Sequence, residues 1–159
     1  FEDPTDPDYT DEPFSVYGLG LEHKHVPEIH KHSGLDNRPL FMPSIAKFRQ
    51  GMIVQIPLQL NALPKHPAPG DLHAALSSHY AGRRFVTVAS EAGAAAIVRL
   101  DPEGLNGTNE LRLHVFGNEA NGQVVLMGLL DNLGKGASGC AVQNMNLMLG
   151  LPEESGLET

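Results

Sequence analysis

The segment ELRLHVFGNEANGQVVLMGLLDNLGKGASGCAVQNMNLML (residues 110–149) decides the fold that we predict for this chain. It contains two apolar runs, at residues 110–116 and 123–130, and the residues between them read GNEANG, which is typical of a hairpin turn. From Gly136 to Leu149 apolar residues recur at three- and four-residue steps, a pattern that predicts a helix. The segment therefore predicts two paired strands that lead into a helix.

Weaker patterns upstream extend this prediction to an α+β domain. We expect strands at residues 14–21, 40–46, 52–60 and 84–89, and helices at residues 26–33 and 71–80. Pro57 cannot donate a ladder hydrogen bond, so we expect it at a sheet edge or a bulge. Residues 91–109 give no clear pattern. The order of elements favours a mixed, mostly antiparallel sheet with helices packed on one face.

Length and charge limit the class of protein. The chain has 159 residues, of which 41% are apolar, enough for one ordinary domain with a real core. Residues 1–14 carry six carboxylates and no basic residue, which predicts an acidic flexible arm before a domain at residues 15–159. Outside that arm the net charge is only −2, so we expect no nucleic-acid partner.

Other features point to a cytoplasmic protein. No apolar run approaches the roughly 20 residues of a membrane-spanning helix, so we expect no membrane partner. The N-terminal stretch also lacks the features of a signal peptide. The single cysteine, Cys140, cannot form an internal disulfide, and within a helix we expect it to pack as a small apolar residue.

Four histidines lie in the stretch HKHVPEIHKH, at positions 23, 25, 30 and 32. On a helix His30 and His32 would lie about 200° apart, so they cannot both join the first pair, and we predict no metal site. A histidine between a strand and a helix can exchange protons near neutral pH, and Glu28 is close enough in sequence to orient it. A solvent-exposed histidine-rich turn is the alternative.

Three motifs in order carry a family resemblance. Residues 20–29, GLEHKHVPEI, are similar to an H-[RK]-H-x-P-E-I segment. Residues 41–44, FMPS, followed by QGM at 50–52, are similar to F-x-P-x…[RQ]-G-[IM]. Residues 131–147 match D-N-L-x-K-G-A-[AS]-G-x-A-x-Q-N, and GLPE at 150–153 continues the match. With these motifs the chain resembles the N-acetyl-gamma-glutamyl-phosphate reductases.

The resemblance implies a fold and a reaction. It implies the C-terminal domain of the glyceraldehyde-3-phosphate and semialdehyde dehydrogenase-like enzymes, and NADPH-dependent reduction of N-acetyl-L-glutamyl 5-phosphate to N-acetyl-L-glutamate 5-semialdehyde in arginine biosynthesis. In that reaction a cysteine thiolate displaces phosphate, and hydride transfer to the thioester releases the aldehyde. The chain has no G-x-G-x-x-G fingerprint and no G-C-Y-type cysteine motif. We therefore expect only the C-terminal half, without the Rossmann-type domain that binds most of the NADP, and inactive alone.

The resemblance also implies roles for individual residues. His23 is the first choice for the acid/base and His25 the alternative, with Glu28 orienting the imidazole. Lys24 and Arg49 are candidates for the phosphate or carboxylate of the acyl phosphate. For the cofactor, Asn132 is the candidate near the nicotinamide, and Lys135 and Gly136 are candidates for phosphate or for a close backbone approach.

Several alternatives stay open at the level of sequence. We expect a homo-oligomer, a dimer or a tetramer, built through the sheet. The chain could then act as a dimerisation module without activity of its own, or belong to a reductase of aminoadipyl or aspartyl phosphate. A histidine-rich metal carrier is the remaining alternative.

Overall fold

The computed structural model describes residues 3–6 and 9–158. The chain forms two compact units, residues 1–49 and residues 50–159. This division falls well after the predicted end of the acidic arm at residue 14. Within the arm, residues 1, 2, 7 and 8 lie outside the described residues.

The first unit contains a small two-stranded sheet and one helix. Strands β1 (Phe14–Val16) and β2 (Ser44–Ala46) pair in antiparallel fashion, and helix α1 (His25–Ser33) lies between them in the chain. The predicted helix is confirmed, beginning one residue early, and Val26 on it is fully buried. The strands predicted at residues 14–21 and 40–46 are too long, because the backbone leaves the extended conformation after Val16 and Leu21 adopts a φ of 59°.

The second unit is built on a four-stranded sheet. Its strands are β3 (Met52–Gln59), β4 (Val86–Val88), β5 (Leu111–Asn118) and β6 (Gln123–Leu130), in the order β3-β6-β5-β4. Only the β4–β5 pair is parallel, so the predicted mixed, mostly antiparallel sheet is confirmed. Strand β3, which carries Pro57, lies at the edge of the sheet, so the predicted edge position is also confirmed.

One face of this sheet carries the hydrophobic core. Helix α2 (Pro69–His79) packs Leu72 and Leu76 against the buried residues Leu60, Val115 and Val124. The helix begins two residues before the predicted start at Asp71, which lies inside the first turn and accepts the Ala68 N–H at 2.8 Å. Over the opposite face, residues 97–100 follow the short helix α3 (Glu91–Ala95) and close a cavity of about 270 Å³.

The predicted terminal helix is confirmed as α4 (Gly139–Leu149), but its first residues form a wider π-type turn at Gly134–Ser138. The apolar residues that predicted the helix do not all face the core. Met145, Met148 and Leu149 are exposed, Met148 by 86%, whereas the buried positions of α4 are Gly139 and Asn146. The apolar pattern therefore located the helix but not its buried side.

Candidate active site

His23 lies at the start of α1 and satisfies two backbone donors of its first turn. Its carbonyl oxygen accepts the Val26 N–H at 2.9 Å, and its ring nitrogen Nδ1 accepts the His25 N–H at 3.2 Å. The first N–H groups of a helix have no partner within the helix, so these two bonds position both the backbone and the ring of His23.

Three aromatic rings surround the His23 imidazole. The ring centroids of Tyr17, His25 and Phe41 lie 5.7, 4.8 and 5.1 Å from its own. The β1–β2 pairing brings these segments together, and it continues as a hydrogen bond of 3.0 Å from the Tyr17 N–H to the Pro43 carbonyl. His23 is half-buried by these contacts, whereas His25 is exposed.

The hydrogen bond from His25 distinguishes the two histidines chemically. A ring nitrogen that accepts a hydrogen bond must present its lone pair, so neutral His23 carries its proton on Nε2. His23 thus presents one N–H group, at Nε2, to any group that approaches from outside the ring cluster. In the described chain, neither ring nitrogen of His25 has a hydrogen-bond partner.

The other candidates of the first unit are exposed. Glu28 lies on α1, and within the described chain no hydrogen bond joins its carboxylate to either imidazole, so its orienting role stays a prediction. Lys24 directly precedes α1. Arg49 borders a cavity of about 350 Å³, which residues 9–12 and 45–48 also line. Of the two cations at this cavity, Lys47 pairs with Asp11, whereas Arg49 has no ion pair within the described chain.

In the second unit, Asp131 organises the loop between β6 and α4. Its side chain accepts hydrogen bonds from Leu133 N and Gly134 N on Oδ1, and from Gln50 Nε2 and Gly107 N on Oδ2, all at 2.8–2.9 Å. The residue is only 2% exposed. Burial by itself raises the pKa of this carboxyl, but the four hydrogen bonds to the charged form outweigh it and hold the pKa below the ordinary value.

The three predicted cofactor residues lie in this loop and differ in how many of their hydrogen-bond donors are already in use. Asn132 is half-buried, and its Oδ1 accepts the Gly51 N–H at 2.7 Å, which leaves the Nδ2 donors available. The Lys135 ammonium donates to Gln143 Oε1 at 2.7 Å and lies 5.6 Å from the centre of the Phe85 ring. The Gly136 N–H donates to the Asp131 carbonyl oxygen at 2.8 Å.

Three residues of this network were not predicted as site residues: Gln50, Asp131 and Gln143. Each lies in one of the quoted motifs, and Asp131 directly precedes Asn132, a predicted cofactor residue. The motif was therefore the available signal. Their partners, up to 81 residues away in sequence, could be found only in the structure.

Two further results concern metals and membranes. Among the residues described, no three histidine, cysteine, aspartate or glutamate side chains are arranged to hold a metal ion. A search of the same residues finds no helix with the length and apolar character needed to span a bilayer.

Comparison with known proteins extends these observations. A family model described as "Semialdehyde dehydrogenase, dimerisation domain" matches residues 2–132. A curated protein of Burkholderia cenocepacia, named N-acetyl-gamma-glutamyl-phosphate reductase, is 58% identical over 138 residues, which are 87% of this chain and 44% of that protein. A protein of the same name from Brucella ovis is 54% identical over 149 residues, 94% of this chain and 48% of its own length. The chain thus spans about half the length of the curated relatives it matches.

Proposed function

The chain belongs to the semialdehyde dehydrogenase dimerisation-domain family, and from this premise we propose that it is the catalytic and dimerisation half of an NADPH-dependent N-acetyl-gamma-glutamyl-phosphate reductase. In this proposal His23 is the acid/base, and the nucleotide-binding half and the cysteine nucleophile belong to the rest of the enzyme. The curated relatives support the activity through their names. The role of His23 rests on one observation: its Nδ1 accepts the His25 N–H, which fixes the ring and leaves Nε2 available for the reaction.

The reaction defines what His23 must do. Negative charge develops on the acyl oxygen when the acyl carbon becomes tetrahedral, and an N–H donor aimed at that oxygen stabilises it. Neutral His23 offers such a donor at Nε2 without first taking up a proton. Removal of one donor of this kind lowers kcat by about 10²–10³-fold in other acyl-transfer enzymes.

The cofactor role of Asn132 is compatible with its surroundings. When bound, the nicotinamide supplies the hydride that reduces the acyl carbon. The Nδ2 group of Asn132 has no partner among the described residues, and it can donate to the carboxamide oxygen while Oδ1 stays on Gly51. One N–H of the Lys135 ammonium donates to Gln143, and the single N–H of Gly136 donates to Asp131. Both residues therefore first stabilise the conformation of the loop.

Substrate recognition is assigned to cations of the first unit. Lys24 and Arg49 are exposed, and neither has an ion pair within the described residues. Both therefore remain free for the phosphate or the carboxylate of the acyl phosphate.

A chimeric enzyme tests this proposal. In the Burkholderia cenocepacia reductase, this chain replaces the 138 residues that it matches, and we call the product the chimeric reductase. We expect phosphate-dependent reduction of NADP with N-acetyl-L-glutamate 5-semialdehyde, at a rate within about tenfold of the parent because identity over the exchanged part is high. A chimeric reductase that is folded and oligomeric like its parent, yet shows no turnover, contradicts the proposal.

A second, compatible function is self-association, which the edge strand favours. Met52, Val54 and Ile56 alternate along β3 and are exposed by 37, 42 and 50%, so they form an apolar stripe. We expect this chain to sediment as a dimer at tens of micromolar, and Ile56→Glu to shift it toward monomer. The matched control is Val98→Glu, a 92% exposed valine outside β3, which should leave the dimer intact. A wild-type chain that sediments as a monomer at this concentration would refute the proposed self-association.

A further inference from the structure

Among the described residues of the first unit, Phe41 is the one ring that contacts both histidines of the HKH segment. Its centroid lies 5.1 Å from that of His23 and 6.1 Å from that of His25, with ring planes inclined at 55° and 58°. Tyr17, by contrast, contacts only His23 of the two. Phe41 therefore limits the movement of the two imidazoles relative to each other.

The backbone holds Phe41 in this place. Two residues further on, the Pro43 carbonyl accepts the Tyr17 N–H at 3.0 Å, and Ser44 then pairs with Val16 at the start of β2. Phe41 is half-buried, while its neighbours Leu40 and Met42 are exposed by 84 and 62%. Phe41 is thus the most buried of these three large apolar residues, and it makes the ring contacts with the histidines.

The hydrogen bond between the two histidines depends on that packing. The bond from His25 N to His23 Nδ1 is 3.2 Å long, near the upper end of the usual range, and it lies on the exposed side of the unit. A rotation of the His23 ring about its χ2 angle would break the bond, and a loosely held imidazole has a broad χ2 distribution. Aromatic packing on the ring face opposes such a rotation.

We propose that Phe41 is a positioning residue, which holds the His23 ring on the His25 N–H and so fixes His23 as the tautomer with its proton on Nε2. This inference rests on the proposed role of His23 as acid/base. It adds that the proton which His23 gives to and takes back from the reacting oxygen is the one on Nε2, and that Phe41 acts on this step through the His23 ring. His25 contributes its peptide N–H, so its imidazole is dispensable for the tautomer.

NMR of this chain with ¹⁵N-labelled histidine tests the geometry directly, because protonated and unprotonated ring nitrogens give separate resonances. We expect wild-type His23, when neutral, to carry its proton on Nε2 alone. Phe41→Leu should give a mixture of both tautomers, whereas Phe41→Tyr and His25→Ala should keep the wild-type form, since both retain the packed ring at 41 and the backbone donor. Phe48→Leu is the matched control, because Phe48 has no ring contact with a histidine among the described residues.

The kinetic arm uses the chimeric reductase with the same variants. Phe41→Leu should lower kcat at least tenfold with KM within about threefold, and Phe41→Tyr should restore most of the rate. A wild-type proton on Nδ1, or a Phe41→Leu variant equal to Phe48→Leu in both tautomer and kcat, overturns the inference. If the tautomers behave as expected but His23→Asn leaves kcat unchanged, the positioning stands and the proposed role of His23 fails.

Discussion

Replacing Asp131 by asparagine removes the charge at the centre of the β6–α4 loop without changing its volume. The new Oδ1 can keep the N–H groups of Leu133 and Gly134, but the new NH2 group faces Gly107 N–H and Gln50 Nε2, which now meet a donor. The Gln50 amide can flip to present its oxygen, whereas the Gly107 N–H cannot change its character.

The expected loss of stability follows from the number of hydrogen bonds that the substitution removes. One buried backbone N–H left without a partner costs about 1–3 kcal/mol, and the retained bonds lose the extra strength of a charged acceptor. We therefore expect Asp131→Asn to lower the free energy of unfolding by about 2–4 kcal/mol at pH 7, as measured by urea unfolding followed by circular dichroism. Asp101→Asn is the matched control. Asp101 is exposed, and among the described residues its carboxylate accepts only the Glu103 N–H, so its loss should cost about 0.5 kcal/mol or less.

The pH dependence of the free energy of unfolding tests independently whether ionised Asp131 stabilises the folded chain. The folded pKa of Asp131 lies below the ordinary value of 3.8, so its stabilisation is fully present above that pH and is lost as the pH falls through the folded pKa. The difference between wild type and Asp131→Asn should therefore be constant from pH 7 to about pH 5 and shrink below about pH 4. A cost no greater than that of Asp101→Asn, or a difference that grows on acidification, refutes the reasoning.

Two glycine substitutions test close packing in the second unit, each by urea unfolding against a glycine control. Gly51→Ala would place a Cβ 2.3 Å from a backbone oxygen at a φ of 113°, so we expect a loss of about 3 kcal/mol or more, whereas Gly107→Ala, which faces open space, should lose about 1 kcal/mol. Gly139→Ala would place a Cβ 2.3 Å from a buried amide oxygen and should cost about 2–3 kcal/mol, while Gly136→Ala has no neighbour closer than 3.5 Å and should cost less than about 1 kcal/mol. Equal costs within either pair would contradict the contact that distinguishes its members.

The parts of the fold that sequence predicted are those with local causes. The β5–β6 hairpin follows from two adjacent apolar runs and a polar turn, and α1 from a proline and a glutamate in its first turn. Pro57 marked an edge strand because it has no N–H to donate. Each of these signals acts within a few residues of the element that it predicts.

The errors in the fold have non-local causes. Strand β1 ends at Val16, and the next residue, Tyr17, packs against the ring of His23, which in turn packs against Phe41. These contacts join separate segments, so no local propensity encodes them. Helix α4 turns an asparagine inward because Asn146 donates to the carbonyl oxygens of Glu153 and Ser155 further along the chain. Helix α3, which sequence left unassigned, has five residues and a Ser90 cap whose Oγ accepts the Gly93 N–H.

The candidate site likewise has features that sequence predicts locally and features that depend on distant parts of the chain. The spacing of the HKH segment predicted two histidines close together, but sequence could not choose between them. In the structure, the hydrogen bond from the His25 N–H to His23 Nδ1 makes the two rings chemically different. The reason is geometric, since the bond depends on how the chain turns into α1 and on a ring that lies 18 residues after His23.

We propose His23, and not His25, as the acid/base of the reductase. The most direct measurement is kcat at saturating substrate for the chimeric reductase carrying either His23→Asn or His25→Asn. We expect a loss of at least about 100-fold for His23→Asn and of less than about tenfold for His25→Asn, with KM for the acyl substrate within about threefold in both. A His23→Asn variant that turns over at the wild-type rate, or a greater loss from His25→Asn than from His23→Asn, would contradict it.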